Sequence, residues 1–276
     1  MESTKQRAYF KFIELLAYWQ GGINSTELAQ QFSISTEQAK KQLSAYRKKH
    51  KDNLEYDSSF KKFAFSNPYQ LFYLSENAAE YLEWLHYPHS FMTSDRSRLH
   101  TQIVFTPERN VSHLVMQGIV TAIQKKLRLD VNYVSLSNPC AEGRVIQPLT
   151  LVKTGMRWHL RAYDEKHKEF RDFVLNRFHG KPELMDKQTV TLSEDKRWCT
   201  EQVLIFEPDT RLSEKQKNVI ELDYSMQNGS LTVVTRQALV QYVLQEMQIN
   251  PVTVHMIPEG QQLVLKNYLE VKHLLF

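Results

Sequence analysis

Residues 156–164 read MRWHLRAYD, in which Arg157, His159 and Arg161 alternate with Trp158, Leu160 and Ala162. Successive side chains of a strand point to opposite faces. The spacing therefore predicts a strand with one apolar face, filled by Trp158 and Leu160, and one face carrying three potentially cationic groups. Such a face is a solvated strand surface, a catalytic histidine with cationic helpers, or a pocket for an anion.

The surrounding sequence shares this two-residue period. LRLDVNYVSL (127–136), GRVIQPLTLVKTG (143–155) and EFRDFVLNRF (169–178) read as short strands. Turns fall at Ser137-Asn138-Pro139, at Thr154-Gly155 and from Asp164 to Lys168. Closely spaced strands with tight turns favour a small β-barrel, here over residues 127–185. Pro182 and the polar Asp186-Lys187-Gln188 stretch mark its boundary.

Upstream the period is helical. Tyr9, Phe12, Ile13, Leu16 and Trp19 form one stripe, ended by Gly21-Gly22. Asn24 with Glu27, and Ser35 with Gln38, are two capping-box patterns that open two further helices, separated by Ser33-Ile34. The second of these has Ala39, Leu43 and Tyr46 as its apolar stripe. LEYDSSFKKFAF (54–65) then alternates around Asp57-Ser58-Ser59 as a β-hairpin. Helix, short helix, tight turn, helix and hairpin is the order of a winged helix-turn-helix, placed at residues 1–70. Its third helix keeps Ser35, Thr36, Gln38, Lys40, Lys41, Ser44, Arg47 and Lys48 clear of the apolar stripe, and the hairpin brings Lys61 and Lys62 near its tip. A recognition helix presents such residues to the major groove and a wing reaches phosphates.

Residues 71–126 read as a helical linker, with a stripe at Leu74, Ala78, Tyr81, Leu82 and Leu85 and a second helix from Val111 to Lys126. His86 and His89 are read as loop because Pro88 breaks the helix that would align them as metal ligands, and Ile103 to Pro107 reads as a short strand. Residues 190–276 give strand, helix, strand, helix and strand in VLIFEP, LSEKQKNVIELDY, SLTVVTR, ALVQYVLQEMQ and VTVHMI, a small α+β domain with no catalytic motif.

The bulk composition agrees with several modules: 276 residues exceed one small core. Between residues 35 and 62, eight Lys and Arg face four Asp and Glu, which accounts for the whole net charge of +4. A local cationic excess suits a module that meets a polyanion. Cys140 and Cys199 fit no metal or disulfide pattern, and no apolar run has the length of a signal core or membrane span. A cytoplasmic protein without metal or cofactor is expected.

Tyr133, Arg144, Pro148-Leu149, Trp158-His159-Leu160, Tyr163-Asp164, Arg171, Phe173, Leu175 and Asn176-Arg177 together resemble the WYL domain of bacterial transcription regulators, with His159 where the family has Tyr and Asn176 where it has Asp. With the modules before and after it, the chain is similar to WYL regulators that include repressors beside BREX and CBASS phage-defence systems. The resemblance implies a multidomain α+β protein. Its parts are a winged helix-turn-helix, a central Sm/SH3-like β-barrel and a small C-terminal α+β dimerisation domain. It further implies a homodimer on an inverted-repeat operator in double-stranded DNA, with an anionic effector, a nucleotide or short single-stranded nucleic acid, bound by the WYL domain.

On this reading Tyr133, Ser135, Arg144, Arg157, His159, Arg171 and Arg177 line the effector pocket, because planar guanidinium donors suit phosphate. Tyr133 and Ser135 share a face of the first strand, and Arg171 sits at a strand end or a bulge. The readings left open are an RNA-binding protein using the barrel and an enzyme processing phosphate esters around His159. The enzyme lacks a motif: there is no GxSxG, HExxH or Walker loop, and Asp164 falls in an expected turn.

Overall fold

The computed structural model describes residues 2–86, 109–140, 142–253 and 255–275. The chain forms two compact units, Met1–Leu151 with Trp158–Gln188, and Val152–Arg157 with Thr189–Phe276.

In the first unit, α1 (Thr4–Trp19) is buried on nearly every side from Tyr9 onward, beyond the single stripe the sequence predicts. It is the central helix of the amino-terminal module. α2 (Ser25–Phe32) and α3 (Thr36–Lys49) both start with the expected capping boxes, Asn24 with Glu27 and Ser35 with Gln38. Ser33 between them takes the left-handed conformation that makes the turn tight. β1 (Leu54–Asp57) and β2 (Lys62–Phe65) pair in antiparallel register, Asp57 opposite Lys62. Ile23 exchanges two backbone hydrogen bonds with Phe63, adding a third short bridge to the wing. Gly22 permits this approach, since a Cβ there would lie 2.9 Å from the Lys62 Cβ.

Glu14 is wholly buried in α1. Its carboxylate accepts the Tyr46 hydroxyl at 2.8 Å and the backbone N–H groups of Phe72, Tyr73 and Leu74 at 2.8–3.1 Å. Burial pushes this carboxyl above its ordinary range even with these donors in place. One side chain thus ties α1 to α3 and fixes the chain leaving the wing.

The segment expected as a helical linker is part of the packed core. α4 (Ala78–His86) buries Ala78, Tyr81 and Leu82, and α5 (His113–Lys125) buries Val115, Met116, Ile119, Val120 and Ala122. The loop expected at His86 to His89 and the strand at Ile103 to Pro107 lie outside the described residues, except the backbone of His86, which ends α4.

Five strands follow: β3 (Leu127–Tyr133), β4 (Glu142–Lys153), β5 (Trp158–Asp164), β6 (Glu169–Val174) and β7 (Phe178–Lys187). They form one sheet in the order β6-β5-β4-β3-β7. A flat five-stranded sheet would hold its edges ~19 Å apart. Here only the 3₁₀ turn Leu175–Arg177 joins edge strands β6 and β7. At ~2 Å per residue that turn is too short for a flat sheet, so the sheet is strongly curled. α5 packs on β3 and β7; a Cβ on Gly118 would lie 3.0 Å from the Pro182 ring, so the helix rests directly on the strand. Pro182 is buried inside β7, and the strand continues through the polar stretch where the sequence reading ends the barrel.

The second unit begins with the short α6 (Lys196–Cys199) and β8 (Glu201–Pro208). α7 (Glu214–Asp223), β9 (Leu231–Arg236), α8 (Val240–Glu246), β10 (Leu263–Leu265) and α9 (Tyr268–Val271) complete it. The sheet order is β10-β8-β9, closed on a core around Leu204, Phe206, Ile220, Val240 and Leu244. The third strand is not VTVHMI. Val252, Met256 and Ile257 are exposed between Pro251 and Pro258, and the edge of β8 is taken by Leu263–Leu265, whose Leu263 and Leu265 are buried. Among the described residues no helix is long and apolar enough to cross a membrane.

Candidate nucleic-acid interface and buried sheet cluster

α3 buries Ala39, Leu43 and Tyr46 and leaves Thr36, Lys40, Lys41, Ser44, Arg47 and Lys48 exposed on its remaining surface. The stripe does this work: three apolar residues at helical spacing turn the cations outward. Ser35 and Gln38 spend their side chains on each other's backbone N–H in the capping box, so they hold the helix start. Lys41 makes an exposed pair with Glu37 at 3.4 Å, which costs little to give up. The Arg47 guanidinium lies 5.0 Å above the Phe63 ring and couples the helix to the wing.

The two wing lysines differ. Lys61 occupies the turn with φ 53° and is exposed. Lys62 is half-buried and pairs with Glu27 at 2.5 Å, the same glutamate whose other oxygen accepts the Asn24 N–H of the capping box. Among the described residues the hairpin tip thus presents one ammonium without an ion pair where the sequence suggests two.

The residues expected to line an effector pocket divide into three settings. Tyr133 and Arg144 face the interior of the curled sheet. The Tyr133 hydroxyl accepts the Val174 N–H at 3.0 Å, and the Arg144 guanidinium sits 5.8 Å from both the Tyr133 and Phe173 rings. Arg144 donates to Asp164 at 3.0 Å; Asp164, expected in a turn, ends β5 and is wholly buried. Its carboxylate also accepts the Lys166 N–H and contacts His167 Nδ1 at 2.7 Å.

The opposite face of β5 is not a solvated cationic surface. His159 and Arg161 are 2 % and 4 % exposed, whereas Trp158 is only half-buried. Both faces of the strand are covered, so the contrast between apolar and cationic halves does not separate inside from outside. Arg161 pairs with its cross-strand neighbour Asp172 at 3.1 Å. Alternation alone, read from one strand, carries no information on what packs above it.

Arg157, Arg171, Arg177 and Ser135 form the third group. Arg157 is half-buried in the β4–β5 turn, its backbone N–H bonded to Thr154 Oγ1. Arg171 is exposed as the third residue of β6 and pairs with Glu169, in unbroken alternation with buried Phe173. Its partner in the ladder is Ala162, inside an unbroken register, so neither the expected strand end nor a bulge accounts for its exposure. Arg177 is half-buried in the turn after β6 and makes no ion pair among the described residues. Ser135 lies past the end of β3, where its hydroxyl accepts the Asn138 N–H, so it does not share a strand face with Tyr133.

Family models match three stretches of the chain. Residues 5–87 match the winged helix-turn-helix domain of the BrxR transcriptional regulator, 115–181 the WYL domain, and 202–271 the BrxR C-terminal dimerization domain. The DNA-binding transcriptional repressor CapW of Escherichia coli is 32% identical over 287 aligned residues, covering 98% of this chain and 92% of that protein. CapW of Pseudomonas aeruginosa is 30% identical, with the same two coverages, and CapW of Stenotrophomonas maltophilia 27%. The chain belongs to this BrxR and CapW family of WYL regulators.

The BrxR winged-helix match takes in α4, and the WYL match begins within α5 and ends in β7. Sequence reasoning missed the acids Glu14, Glu165 and Asp172, and placed Asp164 in a turn without its partner Arg144. Glu14 carried a signal, a lone charge within the apolar run FIELLAYW. Glu165 and Asp172 gave none, because their partners Arg128 and Arg161 are brought in by sheet register. Among the described residues no cluster of His, Cys, Asp and Glu could hold a metal ion.

Proposed function

We propose that this chain is a homodimeric, sequence-specific DNA-binding transcriptional repressor of the cytosol, reading an inverted-repeat operator. We further propose that its WYL module responds to an anionic effector of nucleotide or short single-stranded nucleic-acid type, and that it governs a phage-defence locus. The observation that carries DNA binding is the exposed face of α3, where Thr36, Lys40, Ser44 and Lys48 stand clear of the buried stripe beside a basic wing turn. The full-length likeness to repressors named CapW supports the same role and a non-catalytic one.

Dimerisation is assigned to residues 202–271 on the family description. Val203 and Val234 lie directly opposite each other in the β8–β9 register and are both exposed, a self-complementary patch suited to a two-fold contact. For the effector, the curled sheet is read as an Sm/SH3-like barrel. We read Arg171 and Arg177, exposed and half-buried, as the residues of the expected set that contact it directly, with buried Tyr133, Arg144 and His159 in support.

The test is a shift assay of the full chain on duplex from the region upstream of its own gene, in the presence of competitor duplex and RNA. Tight, sequence-dependent duplex binding that Lys40→Ala with Lys48→Ala weakens is the expected result. Preference for RNA, or duplex binding indifferent to those substitutions, overturns the assignment.

A further inference from the structure

A cleft of about 370 Å³ opens between the wing and the α5–β7 pair of the first unit. Its size is that of a small-molecule site. Leu114 and Pro182 supply apolar wall, and at Gly118 the helix comes directly against the strand. Phe60, at the wing tip, contributes an aromatic ring that is 54 % exposed. An aromatic at a wing tip aimed into a cleft is out of keeping with a wing that only touches phosphate.

The charges lining the cleft are unevenly committed. Lys62 is neutralised by Glu27, and the Asp57 carboxylate is held by the Ser59 and Phe60 N–H groups. Two ammonium groups remain. Lys125 stands 3.8 Å above the Phe60 ring, and Lys181 forms no ion pair among the described residues. A ligand here meets two cations together with the apolar surface of Phe60, Leu114, Pro182 and Leu184 and the amides of Gln117 and Gln124.

We infer that this cleft binds a small amphipathic anion, a planar apolar body carrying one compact anionic group held by Lys125 and Lys181. The ligand touches the wing tip on one side and the sheet module on the other. Its occupancy therefore shifts the wing relative to the recognition helix and alters duplex affinity, provided the two wing positions bind it unequally. The regulatory half of this inference rests on the DNA-binding reading; the binding half does not.

The experiment uses the full-length protein with 1-naphthyl phosphate as probe, and inorganic phosphate, 1-naphthol and adenosine monophosphate as comparison arms, read by calorimetry and by duplex shift. Lys181→Ala removes a surface cation and Leu114→Trp fills the cleft from a position already 39 % exposed, so neither disturbs the core. The expected result is saturable binding of the naphthyl ester, one per chain, that each variant weakens about tenfold or more, a loss of ~1.4 kcal/mol. Inorganic phosphate and naphthol bind far more weakly, and tighter binding of adenosine monophosphate points to a nucleotide as the natural occupant. No binding at millimolar probe, or binding that both variants leave intact, overturns the site. If the probe binds as expected yet the unliganded protein never shifts duplex, the DNA-binding reading fails while the site stands. Probe binding with duplex affinity unchanged in the native protein overturns the coupling.

Discussion

The Arg144 guanidinium donates to the Asp164 carboxylate at 3.0 Å inside the curled sheet, with side-chain exposures of 7 % and 0 %. The two residues come from β4 and β5, and the Arg144 Nε has no hydrogen-bond partner among the described residues. A buried pair of this kind offers little net stability over an apolar pair, yet it is costly to break from one side. Asp164 also receives Lys166 and His167, so it organises the turn that follows β5.

Arg144→Met therefore destabilises the first unit by about 3 kcal/mol in denaturant unfolding, since it leaves the buried carboxylate with only the Lys166 N–H and His167. Arg144→Met with Asp164→Leu recovers much of that loss. A double variant no better than the single one shows that the carboxylate was never stranded and that the pair is not the unit of stability.

Glu14 gives a second stability test. Glu14→Gln places an amide N–H₂ where Tyr46 and three backbone N–H groups all donate, leaving at least one donor without an acceptor. The expected cost is about 1–3 kcal/mol. Glu14→Leu removes every acceptor and costs more. The loss should appear first as amide hydrogen exchange at Phe72, Tyr73 and Leu74. Exchange at those amides equal to the native rate would falsify the anchoring role.

How far the chain could be read in advance follows from which forces are local. The winged module was legible because capping boxes at Asn24 and Ser35, glycines at 21 and 22 and the alternation of 54–65 are short-range signals. The strands 127–178 were legible for the same reason. The fate of MRWHLRAYD was not, because whether His159 and Arg161 see water depends on what packs over them. VTVHMI alternates as well as any strand here, yet β8 pairs with Leu263–Leu265, whose leucines reach the core. Side-chain commitments such as Lys62 to Glu27 and Arg144 to Asp164 depend on three-dimensional register and left no trace in the local sequence.

Acid stability reports on Glu165. Arg128 donates to both of its oxygens, at 2.7 and 2.5 Å, and this holds the carboxyl below its ordinary range. The folded chain therefore takes up that proton at lower pH than the unfolded chain. The contribution to stability is full above the unfolded value of about 4.3 and is lost as pH falls through the folded one. Arg128→Met removes the bidentate partner, so acid unfolding followed by far-ultraviolet dichroism begins at higher pH, while stability near neutrality also falls. An unchanged acid midpoint means that the Arg128 contacts are not retained in solution.

The last prediction separates the two wing lysines. Lys61 is exposed in the hairpin turn, and Lys62 is bound to Glu27 at the start of α2. A lysine that contacts phosphate releases counterions, and its loss lowers the slope of log affinity against log salt by about 1. Lys61→Ala should do this on specific and non-specific duplex alike and leave thermal stability unchanged. Lys62→Ala should leave the salt slope nearly untouched. Its effect is instead a modest loss of stability, because Glu27 loses its partner and the capping box loosens. Equal slopes and equal stabilities in the two variants would mean that Lys62 exchanges Glu27 for phosphate when duplex arrives. A Lys62→Ala, Glu27→Gln double variant decides that point, because it removes the internal pair without stranding the carboxylate. If Lys62 serves only the fold, the double variant keeps the native salt slope and most of the native stability.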